Sequence, residues 1–87
     1  MWHDTPASSN VAAVGWRPEV LEPEADSDPP RVYGTVYVRF RSGAVYAYRA
    51  VPMPVWDQLL EWRDGAQSVG RYVATRLRAQ YVTERLP

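Results

Sequence analysis

The stretch "VYVRFRSGAVYAYRAVP", residues 36–52, constrains the fold of this chain more than any other. Apolar and polar side chains alternate with a period of two on both sides of Arg41-Ser42-Gly43, the pattern of two strands joined by a tight turn. The length of that turn decides which side chains share a face. A three-residue loop with Gly43 in the left-handed conformation makes a bulged hairpin, in which Phe40 lies opposite Ala44, Val38 opposite Tyr46 and Val36 opposite Tyr48. A two-residue Ser42-Gly43 turn shifts every pair by one and sends Tyr46 and Tyr48 to the face of Arg39. The bulged form gathers the apolar side chains on one face, so it is the expected one, with Tyr46 and Tyr48 chiefly in the core and their hydroxyls reaching an edge.

The other elements follow from this hairpin. "SSNVAAVGW", 8–16, reads as a strand, and "VYGTVYVRF", 32–40, and 44–51 complete a three-stranded sheet. Between the first two strands, "RPEVLEPEADSDPP", 17–30, holds four prolines and five acids and reads as a long exposed loop. Val51-Pro52 ends the third strand, and Pro54 suits the first turn of a helix over 54–64 that stops near Gly65. Ser68 is placed to cap a second helix, 68–84, whose apolar stripe is Val69, Tyr72, Val73, Leu77 and Tyr81. The expected class is α+β: a small three-stranded antiparallel sheet followed by two helices packed on one face. With 87 residues there is room for one domain, 8–84, behind a flexible tail at 1–7. A chain of this size buries only about 60% of its unfolded surface, so self-association would reinforce a thin core.

The residue inventory excludes most chemistry. Cys is absent, which removes thiol nucleophiles, thiolate metal sites and disulfides. His3 is the only His, so neither a triad nor a His-based metal site has a second member. There is no Lys for a phosphate-gripping loop. Glu22, Glu24, Asp26 and Asp28 alternate in the manner of a calcium loop, but Ser27 stands where the turn glycine belongs and Tyr33 where the closing Glu belongs. The expectation is a protein that is not an enzyme and has no cofactor and no metal. No run of eighteen apolar residues and no leader pattern occur, so no membrane is expected and the cytoplasm is the expected compartment.

Binding has more support, because the zero net charge conceals a segregation. Residues 1–30 carry six acids against Arg17, and residues 31–87 carry nine Arg against four acids. Arg39, Arg41 and Arg49 belong to the strands, and Arg71, Arg78 and Arg85 recur every seven residues on what reads as one stripe of the last helix. With Tyr37 and Tyr33 among them, the sheet arginines can grip phosphates while a ring stacks on a base. A protein partner or a second copy is the rival. Trp56 and Trp62 lie six positions apart and cannot both centre on one helix face, which leaves Trp62 as the candidate anchor.

The order of these segments resembles the KTSC domain, from about Ser8 to Tyr81. That family is named for the C-terminus of some lysyl-transfer-RNA synthetases and also occurs as small stand-alone bacterial and phage proteins. The residues that carry the resemblance are the pair Tyr46-Ala47-Tyr48, then Val51-Pro52, then Ser68-Val69-Gly70, and Arg78 ahead of the closing Tyr81. Trp16 stands where the family usually has Tyr, and Val73-Ala74 where Phe-Asn is common. The acidic stretch 17–30 is much longer than the usual turn there. The resemblance implies a structural role for Tyr46, Tyr48, Pro52, Ser68, Gly70 and Tyr81, and it implies RNA as the first-named partner. The alternative is a protein-interaction module, phage-encoded and directed at a host protein.

Overall fold

The computed structural model describes residues 2–22, 31–65 and 67–87. Five strands, β1 (Trp2–Asp4), β2 (Val11–Glu22), β3 (Arg31–Phe40), β4 (Val45–Pro52) and β5 (Thr83–Leu86), form one antiparallel sheet in chain order. Between β4 and β5 the chain leaves the sheet for α1 (Met53–Asp64) and α2 (Val69–Tyr72), the latter running on into a π-helical turn over Val73–Leu77.

The α+β class stands, but the sheet has five strands rather than three. Both additions are edge strands of three or four residues, too short to show a period. The tail expected at 1–7 contributes β1, whose His3 pairs with Val14. The helix expected to reach residue 84 ends instead with the π-helical turn, where the Arg78 amide donates to the Val73 carbonyl at 2.8 Å. Val82 and Thr83 are β-branched and favour a strand, and β5 begins there. The first strand starts at Val11 rather than at residue 8 and runs on to Glu22, into the stretch read as an acidic loop. The rest of that loop, 23–30, lies outside the described residues.

The hairpin register is the bulged one. Val38 pairs with Tyr46 and Val36 with Tyr48. The Phe40 amide donates to the Ala44 carbonyl and the Gly43 amide to the Phe40 carbonyl, with Gly43 at φ +96°. Alternation then sorts the sheet into two faces. One presents His3, Val14, Val38, Tyr46 and Arg85 in a row, with Trp16, Val36, Tyr48 and Thr83 beside it. The helices cover this face. Val36, Val38, Leu59 and Leu77 are fully buried there, Tyr48, Tyr72 and Val73 nearly so, and Phe40, Tyr46, Leu60 and Trp62 close the margin. The Trp16 ring stacks on Trp56 at 5.8 Å between centroids, and it lies over Gly34, where an added Cβ would meet the Arg17 carbonyl oxygen at 2.3 Å. Only glycine lets the chain and the ring come that close.

The second face presents Trp2, Gly15, Tyr37, Ala47 and Glu84 in one row and Asp4, Ala13, Arg39, Val45 and Leu86 in the next. No element of the described residues lies over it. Its floor is small (Ala13, Gly15 and Ala47 are all buried), and longer side chains lean across that floor, Arg39 standing 4.9 Å from the centre of the Trp2 ring. No helix among the described residues is long and apolar enough to cross a membrane.

Candidate functional site

The hairpin and the π-helical turn enclose a cleft of about 620 Å³. Phe40, Arg41 and Tyr46 form one wall, Gly70, Ala74 and Arg78 the other, and Tyr48 lies in the floor. Each wall follows from local sequence. The Gly43 bulge brings Tyr46 and Tyr48 to the helix side of β4. Ser68 accepts a hydrogen bond from the Arg71 amide at 3.2 Å and starts α2, and Gly70 then passes 3.5 Å from the Asn10 Cβ, measured from where its own Cβ would be. That is ordinary contact, so a Cβ at Gly70 would fit against the β1–β2 turn, and neither space nor backbone shape demands glycine there.

Two properties distinguish the cleft. The first is that Tyr48 is 2% exposed and lines the cleft, and none of the side-chain hydrogen bonds found among the described residues uses its hydroxyl, which is therefore open to the cleft rather than sealed in the core. Burial pushes its phenol above the usual tyrosine range, with the Arg78 charge opposing that shift, so at neutral pH the hydroxyl keeps its proton and can donate. Tyr72, by contrast, is equally buried but donates to the Val55 carbonyl at 3.1 Å and lies 2.9 Å from Gln58 Oε1. The second property is charge. Arg41 and Arg78 line the cleft, Arg85 stands 5.9 Å from the Tyr46 ring centre, and no carboxylate is among the lining residues. Arg41 is fixed in place, since its guanidinium donates to the Ser8 carbonyl at 2.9 Å and the Thr5 carbonyl at 3.2 Å. Among the described residues no such side-chain bond is found for Arg78, which is exposed at the cleft.

The basic residues expected to act together are thus divided by the fold. Arg41, Arg78 and Arg85 gather at the cleft, although Arg85 arrives on β5 and not on the helix, so the single stripe of Arg71, Arg78 and Arg85 does not exist. Arg71 is exposed on α2, away from the cleft lining. Arg39, Arg49 and Tyr37 lie on the uncovered face of the sheet. There Arg49 pairs with Glu84 at 2.5 Å and donates to the Thr35 hydroxyl at 3.2 Å, while Thr35 donates to Glu19. The pKa of the Arg49 guanidinium is raised above its ordinary value, first by the Glu84 hydrogen bond, with burial opposing it. This network rests on two bulges, one in β2 at Glu19, opposite Tyr33 and Gly34, and one in β4 at Arg49-Ala50, opposite Thr35. Alternation alone could not reveal it, because each bulge is invisible until the strands are paired.

Of the remaining expected residues, Pro52 ends β4 and precedes α1, and Tyr81 packs on the margin of the core. Trp62 is half-buried, with its ring 5.3 Å from that of Tyr72. Phe40 and Thr83, which the sequence reading did not single out, line the cleft. Phe40 was findable, since it shares the face of Tyr46 and meets its ring edge-on at 5.7 Å. Among the described residues no group of three or more His, Asp or Glu side chains is placed to hold a metal ion.

No curated protein matches the chain. The family model of the KTSC domain matches residues 32–81, which span β3, the Gly43 turn, β4, both helices and the π-helical turn. The matched segment carries Tyr46, Tyr48, Gly70 and Arg78 and hence most of the cleft. Covering more than half of the 87 residues and the site itself, that match makes the chain a member of the KTSC domain family.

Proposed function

We propose that this domain is a non-catalytic module that binds RNA at the cleft end of the molecule. The observation that carries the reading is the cluster of Arg41, Arg78 and Arg85, with no carboxylate among the described lining residues, around Tyr46 and Tyr48, whose hydroxyls take part in none of the hydrogen bonds found among the described residues. Guanidinium groups suit phosphate oxygens, and the exposed edges of Phe40 and Tyr46 offer rings beside them. The test is fluorescence anisotropy with short single-stranded RNA at two salt concentrations. The double variant Arg78→Glu, Arg85→Glu is expected to weaken binding to all sequences alike and to reduce the salt slope by roughly two. Binding unchanged by both reversals at fixed salt would remove the proposal.

A protein partner is the second reading, and a different observation favours it. The uncovered sheet face has Trp2 40% exposed, with the half-buried Val45 and Leu86 on the same side. Aromatic side chains of this kind anchor interfaces. Size-exclusion chromatography with light scattering, on the protein and on Trp2→Ala, tests it: a mass above the monomer that the variant loses supports self-association, and a monomer in both argues against it.

A further inference from the structure

The cleft differs from the track that a nucleic-acid backbone usually follows. A surface that grips a strand at many phosphates is open along its length, and its contacts are exposed side chains. Here the decisive group is at the bottom. Tyr48 is 2% exposed and lines the cleft, and its hydroxyl takes part in none of the hydrogen bonds found among the described residues while not being sealed from solvent. A strand passing over the mouth would meet Arg78 and Arg85 without touching Tyr48. Only a group that enters can use that hydroxyl.

The chemistry of what enters is set by the lining. The hydroxyls of Tyr46 and Tyr48 can donate, Arg78 and the wall-fixed Arg41 are cationic, and no carboxylate competes. The complement is an anion with several acceptor oxygens. A volume of about 620 Å³ is that of a small-ligand pocket, enough for one nucleotide and too little for several. Phosphodiester groups inside a strand carry one charge and a sugar on either side, which hinders their entry. A phosphate monoester carries up to two charges and three free oxygens, and it sits at an end.

We infer that the cleft is a pocket for one phosphate monoester group, presented by the end of an RNA strand or by a free nucleotide, with Tyr48 and Arg78 as its principal donors. The inference rests on the RNA reading only for the first of those two sources. It makes the domain a reader of an end group rather than of a sequence.

The experiment compares uridine with uridine monophosphate, by calorimetry or chemical-shift titration, and six-residue oligouridine bearing a 5′-hydroxyl, a 5′-phosphate or a 3′-phosphate, by anisotropy. Phosphorylated forms are expected to bind at least about tenfold more tightly than their hydroxyl counterparts, since a hydrogen bond to a charged group accounts for a factor of that size. Tyr48→Phe, which keeps the ring, is expected to erase the difference; the variant's circular dichroism serves as the check on folding, and Arg78→Gln, at an exposed position, repeats the test without touching the core. Uridine monophosphate binding that depends on Tyr48 with no binding of any oligonucleotide would uphold the pocket and sink the RNA reading. RNA binding that ignores the end group and tolerates Tyr48→Phe would overturn the pocket and leave the RNA reading in place. Failure of every compound to bind would overturn both.

Discussion

The two faces of the sheet are built from the same strands, yet they treat polar groups in opposite ways. On the uncovered face the central charges have answers: Glu84 pairs Arg49, Thr35 joins Arg49 to Glu19, and Trp2 lies under Arg39. On the helix-covered face the packing is tight except at one end, and there the charges and hydroxyls stand without acids. A polar group left unpaired at a buried position is costly, and among the described residues no buried side-chain polar atom lacks a partner, so the cleft hydroxyls are those that stay open to solvent. Exposure and unmet charge therefore do not coincide in this fold: the open face holds the ion pair and the hydroxyl network, and the cleft end holds the arginines without acids.

This contrast can be broken by comparing one tyrosine from each face. Tyr48→Ala is expected to cost about 3–5 kcal/mol in urea unfolding, as loss of a buried aromatic does. Tyr37→Ala, from a half-buried position on the uncovered face, is expected to cost about 1 kcal/mol. Equal losses would mean that the uncovered face also carries the core, and the comparison would fail.

Next in size is Gly34→Ala. The new Cβ would collide with the Arg17 carbonyl and the Trp16 ring, neither of which can withdraw without disturbing the stack on Trp56. A loss of about 2–3 kcal/mol is expected. A near-neutral result would show that β2 and β3 can slide apart locally.

A pH experiment sharpens the account of the cleft floor. Burial raises the pKa of Tyr48 and of Tyr72 above the ordinary value of 10.0, by desolvation in both cases. Folding therefore favours the protonated phenols. That contribution is fully present below the unfolded value and is lost as pH rises through the folded ones. Stability should fall above about pH 10, and the fall should be shallower in Tyr48→Phe, which has one phenol fewer to deprotonate. An identical alkaline slope in the two proteins would show that the Tyr48 hydroxyl is already solvated.

The smallest effect concerns the bulge that serves the uncovered face. Ala50 has φ +55°, a left-handed conformation that costs an L-residue about 1–2 kcal/mol. Glycine relieves it but loses about 0.5–1 kcal/mol of chain entropy. Ala50→Gly is expected to raise stability by about 0.5 kcal/mol, and Ala50→Val to lower it; thermal unfolding of the pair decides.

How much of this was legible beforehand depends on whether side chains or backbone decide the feature. The hairpin was readable because Arg41-Ser42-Gly43 admits few turns and only one of them puts Val36, Val38, Tyr46 and Tyr48 together. The Ser68 cap was readable for the same kind of reason, a short hydroxyl ahead of an apolar stripe. β1 and β5 were not, because Trp2–Asp4 and Thr83–Leu86 are held by ladder hydrogen bonds that any sequence can make. The site was half-readable: Arg78 and the tyrosine pair were singled out, but Arg85 was assigned to a helix that had already ended, and the grouping of Arg49 with Arg41 was undone by strand pairing.

The excursion through α1 and α2 has a kinetic consequence. β2, β3 and β4 are neighbours in sequence, and β3 and β4 close over a three-residue turn, whereas Val45 must find Leu86 across two helices. Closing so long a loop is entropically slow, and the reward is a four-residue ladder. By sequence separation the β5 ladder is thus the last to form, and its four pairs make it a smaller unit than the β2–β3–β4 meander. Thr83 and Arg85, which belong to the cleft, ride on that unit. The site is completed only when the slowest contact of the fold has been made, and anything that grips Arg85 and Tyr48 together stitches that unit to the rest.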